Sequence, residues 1–135
     1  MQRFRDGDAD EADARTLHEV LEPHIVERSE GFALLRLADG AADVYGVDDL
    51  APALMINHAS GSAVWDRMFE LACRADLAIM PVSRSTVVTK KQTLRDLPPD
   101  LADEAVSYVR GGTATPRRDH LTADREPGGR WSRRC

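Results

Sequence analysis

A chain of 135 residues, 42% apolar and 30% charged, fits one soluble domain that can bury a core without disulfides or metal. The net charge of −5 is uneven: residues 113–135 hold six arginines against three acids, which leaves the body to Gly112 at −8 and argues against a nucleic-acid groove formed by the fold. No apolar run approaches a membrane span, and the first fifteen residues are charged throughout without a leader pattern, so a cytoplasmic protein is expected.

The first predicted element is a helix over residues 8–22, with acids in its first turn facing the helix dipole. Leu17, Val20 and Leu21 share one of its faces, and Pro23 ends it. Residues 24–47 predict a β-meander with strands at 24–28, 32–37 and 42–47, because Phe32, Leu34 and the stretch from Val44 to Val47 are punctuated by Glu30-Gly31 and by Ala-Asp-Gly at 38–40. Residues 47–57 predict a short helix capped by Asp48 or Asp49, with Pro52 near its first turn. The strongest periodic signal runs from Ser62 to Ala75, where Val64, Trp65, Met68, Phe69 and Ala72 keep a helical stripe.

The apolar run at 77–82 predicts a buried central strand, with a returning strand at 86–89. Thr89 and Gln92 have capping-box spacing and start a helix that Pro98-Pro99 stops. A last helix over 100–110 places Leu101, Ala102, Ala105, Val106 and Val109 on one face and ends at Gly111-Gly112. These elements predict an α+β fold, a single domain over residues 1–112 with a mainly antiparallel sheet of about 4–5 strands and helices packed on one face. Residues 113–135 follow as a basic tail, expected to be disordered, and nucleic-acid contact is expected nowhere but there. The element order is similar in outline to roadblock-type or profilin-like domains, although 76–90 has room for two short strands where those folds want three.

Two segments carry residue types suited to chemistry. Residues 55–66 combine His58, Ser60, Ser62 and Asp66, the types of a nucleophile, base and orienting acid, without the spacing of a nucleophile elbow. Structural roles account for most of them: Ser62 caps the next helix, Gly61 allows the tight turn before it, and Asp66 faces the dipole. His58 and Ser60 remain as catalytic candidates. Residues 83–91 offer Ser83, Arg84, Ser85, Lys90 and Lys91 as an anion-binding loop, but no glycine lets a phosphate approach the backbone, and a polar hairpin explains the same residues.

No cofactor or metal is expected. The acidic stretch 6–13 lacks the glycine and final glutamate of a calcium loop, and His18, His24, His58 and His120 have no ligand spacing. Cys73 reads as a small buried hydrophobe and Cys135 as a free thiol. The expected function is that of a small acidic interaction module, a regulator, inhibitor, immunity-type or accessory protein that binds another protein. Homodimerisation through helix 100–110 or an open sheet edge is a further expectation. The alternative is an anion- or phosphate-binding domain or small enzyme that uses the 83–91 loop with His58 and Ser60.

Overall fold

In the computed structural model, which describes residues 1–47 and 53–107, the chain opens with a hairpin where a helix start was expected. Strand β1 (Gln2–Arg5) pairs antiparallel with β2 (Asp8–Asp10) around Asp6 and Gly7. Their φ values of 52° and 89° are both positive, as a two-residue type I′ turn requires. The first helix is correspondingly short. In α1 (Ala14–Leu21) the Asp13 side chain accepts from the Arg15 amide at 3.2 Å and the Thr16 hydroxyl at 2.6 Å, and Leu17, Val20 and Leu21 are buried as predicted.

A 3₁₀ turn through Pro23 leads into the four-stranded antiparallel sheet. Its strands β3 (Ile25–Ser29), β4 (Phe32–Leu37), β5 (Gly40–Tyr45) and β6 (Met55–Asn57) lie in chain order. Strand β4 occupies the predicted range, and β5 begins two residues earlier than predicted. Strand β6 corrects the short helix expected over 47–57, because Met55, Ile56 and Asn57 pair with Tyr45, Val44 and Asp43; residues 48–52, with the proposed caps, lie outside the described residues.

Alternation along the strands turns Ala33, Leu35, Ala42 and Val44 to one side, where all four are buried. Helices α1 and α2 (Ser62–Ala75) cover this side, and Leu17, Val20, Leu21, Val64, Met68, Leu71, Ala72 and Ala75 complete the main core. The α2 stripe is therefore corrected at one edge. Leu71 and Ala75 face the core, while Trp65, one residue round the helix from Val64, is 46% exposed.

The predicted central strand at 77–82 shrinks to β7 (Leu77–Ala78), which pairs with β1 to form a small sheet in the order β2-β1-β7. Pro81 has no amide to donate to a ladder, and Met80 and Val82 are exposed. Strand β8 (Val87–Val88) falls inside the predicted 86–89, bridges Ile79, and pairs in parallel with β9 (Val106–Ser107). That pairing ends the last helix early: α3 (Lys91–Asp96) is as predicted, but α4 (Pro99–Asp103) gives way to β9 where a helix to 110 was expected. Phe4, Ala78, Val88 and Leu97 form a second core, lined by Leu94 and Leu101. The proposed helix end at Gly111-Gly112 and the 113–135 tail lie outside the described residues.

The architecture is thus a mixed α+β domain with a four-stranded antiparallel sheet and two helices on one of its faces. Among the described residues, no helix is long and apolar enough to cross a membrane.

Candidate functional site

The loop that carries His58 and Ser60 is held by backbone approach. A Cβ on Gly40 would lie 1.9 Å from the Ser60 carbonyl oxygen, and one on Gly61 would lie 2.6 Å from that of Asp39, so both positions depend on glycine to bring the β4–β5 turn against residues 60–61. The Ser60 amide donates to the Ala41 carbonyl at 3.0 Å, and the Ala41 amide donates to Ser60 Oγ at 3.2 Å. Ser60 therefore continues the pairing along β5 and has a structural role that its sequence context did not reveal.

The cap of α2 is also supplied from this turn. Ser62 does not cap the helix with its own oxygen; it is the first helical residue, and the Asp39 carboxylate accepts from its amide and its hydroxyl at 2.8 Å each and from the Ala63 amide at 3.0 Å. The Ser62 hydroxyl, followed by the Ala63 and Ser62 amides, holds the Asp39 carboxyl below its ordinary pKa of 3.8. A carboxyl depressed on folding contributes stability that is present above its unfolded pKa and lost as pH falls through the folded one. Asp39→Asn is accordingly expected to lower the melting midpoint at neutral pH and to flatten the loss of stability between pH 3.8 and the lower folded value, as read from thermal unfolding in a pH series.

His58 sits in the left-handed region at φ 51°, with Nδ1 2.7 Å from Asp43 Oδ2. Asp43 comes from β5 and fixes one ring nitrogen, and the His58 side chain is 83% exposed. This is an oriented imidazole, and Ser60, the nucleophile type nearest it in sequence, bonds instead to the Ala41 backbone. No hydrogen bond or ion pair among the described residues joins His58 or Ser60 to the 83–91 segment.

In that segment Ser83, Arg84 and Ser85 are exposed, with Ser83 at φ 59° in a turn. Lys90 Nζ lies 2.6 Å from Oδ1 of Asp76, the residue that ends α2 in the left-handed conformation, so this lysine already has an acidic partner. Lys91 opens α3 and is exposed. The predicted capping box is corrected: Gln92 donates to Asp96, and Lys90 precedes the helix without a side-chain cap. Thr89 is buried with its hydroxyl unpartnered, as is Thr93.

Cys73 is corrected as well. It is disulfide-bonded and is not a simple buried hydrophobe; Cys135 lies outside the described residues. No group of histidine, cysteine, aspartate and glutamate able to hold a metal occurs among the described residues.

The feature missed in the sequence is the other side of the sheet. The register that turns Ala33, Val44 and Ile56 inward sets Phe32, Tyr45 and Met55 in one row across the opposite face, with Glu27, Leu34, Asp43 and Asn57 in the next. The Phe32 and Tyr45 rings lie 5.5 Å apart at 34°, and Met55 beside them is 53% exposed. None of these side chains joins the core beneath α1 and α2. The signal was present in Phe-Ala-Leu-Leu, since an antiparallel strand with one solvated face alternates apolar and polar residues and this one is apolar on both. Asp43, between Leu34 and Asn57 on that face, is the residue that holds His58. No protein-family model, curated protein or solved structure matches the chain.

Proposed function

We infer that the protein is a small acidic interaction module whose working surface is this second face of the four-stranded sheet. The observation that carries the reading is the Phe32–Tyr45–Met55 row, an apolar strip on a sheet face outside the described core. Aromatic residues and methionine in such a position suit a protein partner, because both are enriched at interfaces: the rings supply large contact area at low cost in conformational entropy, and methionine adapts its shape to the partner. Glu27 and Asp43 at its margin, on a body of net charge −8, favour a partner segment that is apolar with basic flanks. Regulator, inhibitor, immunity-type and accessory roles all fit this chemistry. A cytoplasmic location belongs to the same proposal; in that compartment a disulfide such as that of Cys73 would be a transient, redox-responsive one.

The test is affinity capture from the source cell with wild type and the Phe32→Ser/Tyr45→Ser variant side by side. A partner retained by the wild type and lost by the folded variant is expected; equal retention by both removes the sheet face from the reading. A second copy of the chain is the other occupant, and sedimentation velocity identifies it.

One contact favours the alternative of an anion- or phosphate-binding domain or small enzyme, the Asp43–His58 pair that orients an exposed imidazole. His58→Ala and Arg84→Ala variants that bind inorganic phosphate as the wild type does would remove it.

A further inference from the structure

The loop between β7 and β8 has the chemistry that the sheet face asks of its partner. Every residue from Met80 to Ser85 is exposed, and Val82 reaches 93%. Two hydrogen bonds close the base of the loop, from the Ile79 amide to the Val87 carbonyl at 2.9 Å and from the Val87 amide to the Ile79 carbonyl at 2.8 Å. Its tip is a turn in which the Arg84 amide donates to the Pro81 carbonyl at 3.4 Å, with Ser83 at φ 59°. A tip held in one shape loses little conformational freedom when it docks. Met80, Pro81 and Val82 make it apolar, and Arg84 gives it a basic flank.

At 93% exposure Val82 does not rest on the sheet face of its own molecule. Arg84 has no ion pair among the described residues, and neither has Glu27, which stands in the row next to Phe32, Tyr45 and Met55. We propose that a second copy of this chain docks its 80–85 loop on the sheet face, with Met80 and Val82 against the Phe32–Tyr45–Met55 row and Arg84 paired with Glu27. Apolar side chains then cover an apolar strip, and a cation without an acidic partner meets an anion without a basic one. The inference rests on the sheet-face reading and names an occupant of that face. The contact is heterologous, because loop and face are different surfaces and each copy carries one of each. A single loop buries less than a standard interface, so association is weak and rises with concentration. In dilute solution the loop stands free, and a foreign protein that takes the sheet face competes with it.

The experiment is sedimentation velocity of the full chain over a rising concentration series. The wild-type sedimentation coefficient is expected to increase with concentration. Val82→Ser/Arg84→Glu on the loop and Phe32→Ser/Tyr45→Ser on the face are each expected to stay monomeric. The two variants mixed are expected to form a heterodimer, because the first keeps its face and the second its loop. Glu27→Lys is expected to abolish association, and Glu27→Lys/Arg84→Glu to restore it through the reversed pair. Wild type that is monomeric at every concentration, a loop or face variant that associates as wild type does, or a mixture that stays monomeric overturns the proposal. A foreign partner captured through Phe32 and Tyr45 by a chain that never self-associates overturns this inference and leaves the sheet-face reading standing.

Discussion

Gly40→Ala is expected to lower the unfolding free energy by about 3 kcal/mol, the upper end of what overpacking costs. The new Cβ would lie 1.9 Å from the Ser60 carbonyl oxygen and 2.5 Å from its carbon, and both are backbone atoms that no rotamer change can move. Residues 60–61 must then retreat from β5. That movement breaks the Ser60–Ala41 hydrogen bonds and draws the Ser62 and Ala63 amides off the Asp39 carboxylate, so α2 loses its cap at the same time. Gly7→Ala is the control: it has φ +89° but open space around the added atom, so its cost is the left-handed strain alone, about 1 kcal/mol. Urea unfolding separates the two variants. Equal midpoints would mean that the β4–β5 turn does not press on the His58–Ser60 loop.

The second large effect contrasts the two sides of one strand. Leu35 is fully buried between the sheet and the helices, and Leu35→Ala is expected to cost about 3 kcal/mol, transfer and cavity together. Phe32, three residues earlier and on the opposite face, contributes a ring contact with Tyr45 and partial burial, so Phe32→Ser is expected to cost about 1 kcal/mol. Chemical denaturation of both variants reads the difference. A Phe32→Ser loss as large as that of Leu35→Ala would mean that the outer face is itself a core.

Where periodicity and local chemistry agreed, the sequence was legible. Helix α2 lies on its predicted range because a fourteen-residue amphipathic pattern marks it, and strand β4 lies on its range because six strand-forming residues are bounded by the turn residues Glu30-Gly31 and Ala38-Asp39-Gly40. The N-terminal hairpin was hidden by its acids: Asp8 and Asp10 look like the first turn of a helix, while Asp6-Gly7, the true signal, is only two residues long. The end of α4 was set from a distance. Val106 pairs with Val87, and a contact across that separation leaves no trace in a local window.

The candidate site shows the same limit in sharper form. Ser60, Ser62 and His58 each have a partner in the β4–β5 hairpin, namely Ala41, Asp39 and Asp43. Those partners lie 19, 23 and 15 residues away in the chain, so a cap that reads as Ser62 locally is Asp39 in space. The apolar outer face could have been read from the unbroken Phe-Ala-Leu-Leu run, but the same run also describes a strand buried on both sides. Only the register decides which side the helices take.

The most direct test of the sheet-face reading is hydroxyl-radical footprinting of the protein alone and with its captured partner, with oxidation read by mass spectrometry at each side chain. Phe32, Tyr45 and Met55 are reactive residue types on the proposed surface, whereas Trp65 and Met80 are exposed elsewhere and serve as internal references. The reading predicts that the partner protects Phe32, Tyr45 and Met55 and leaves Trp65 and Met80 unchanged. Protection of Trp65 or Met80 with Phe32, Tyr45 and Met55 still oxidised would contradict it.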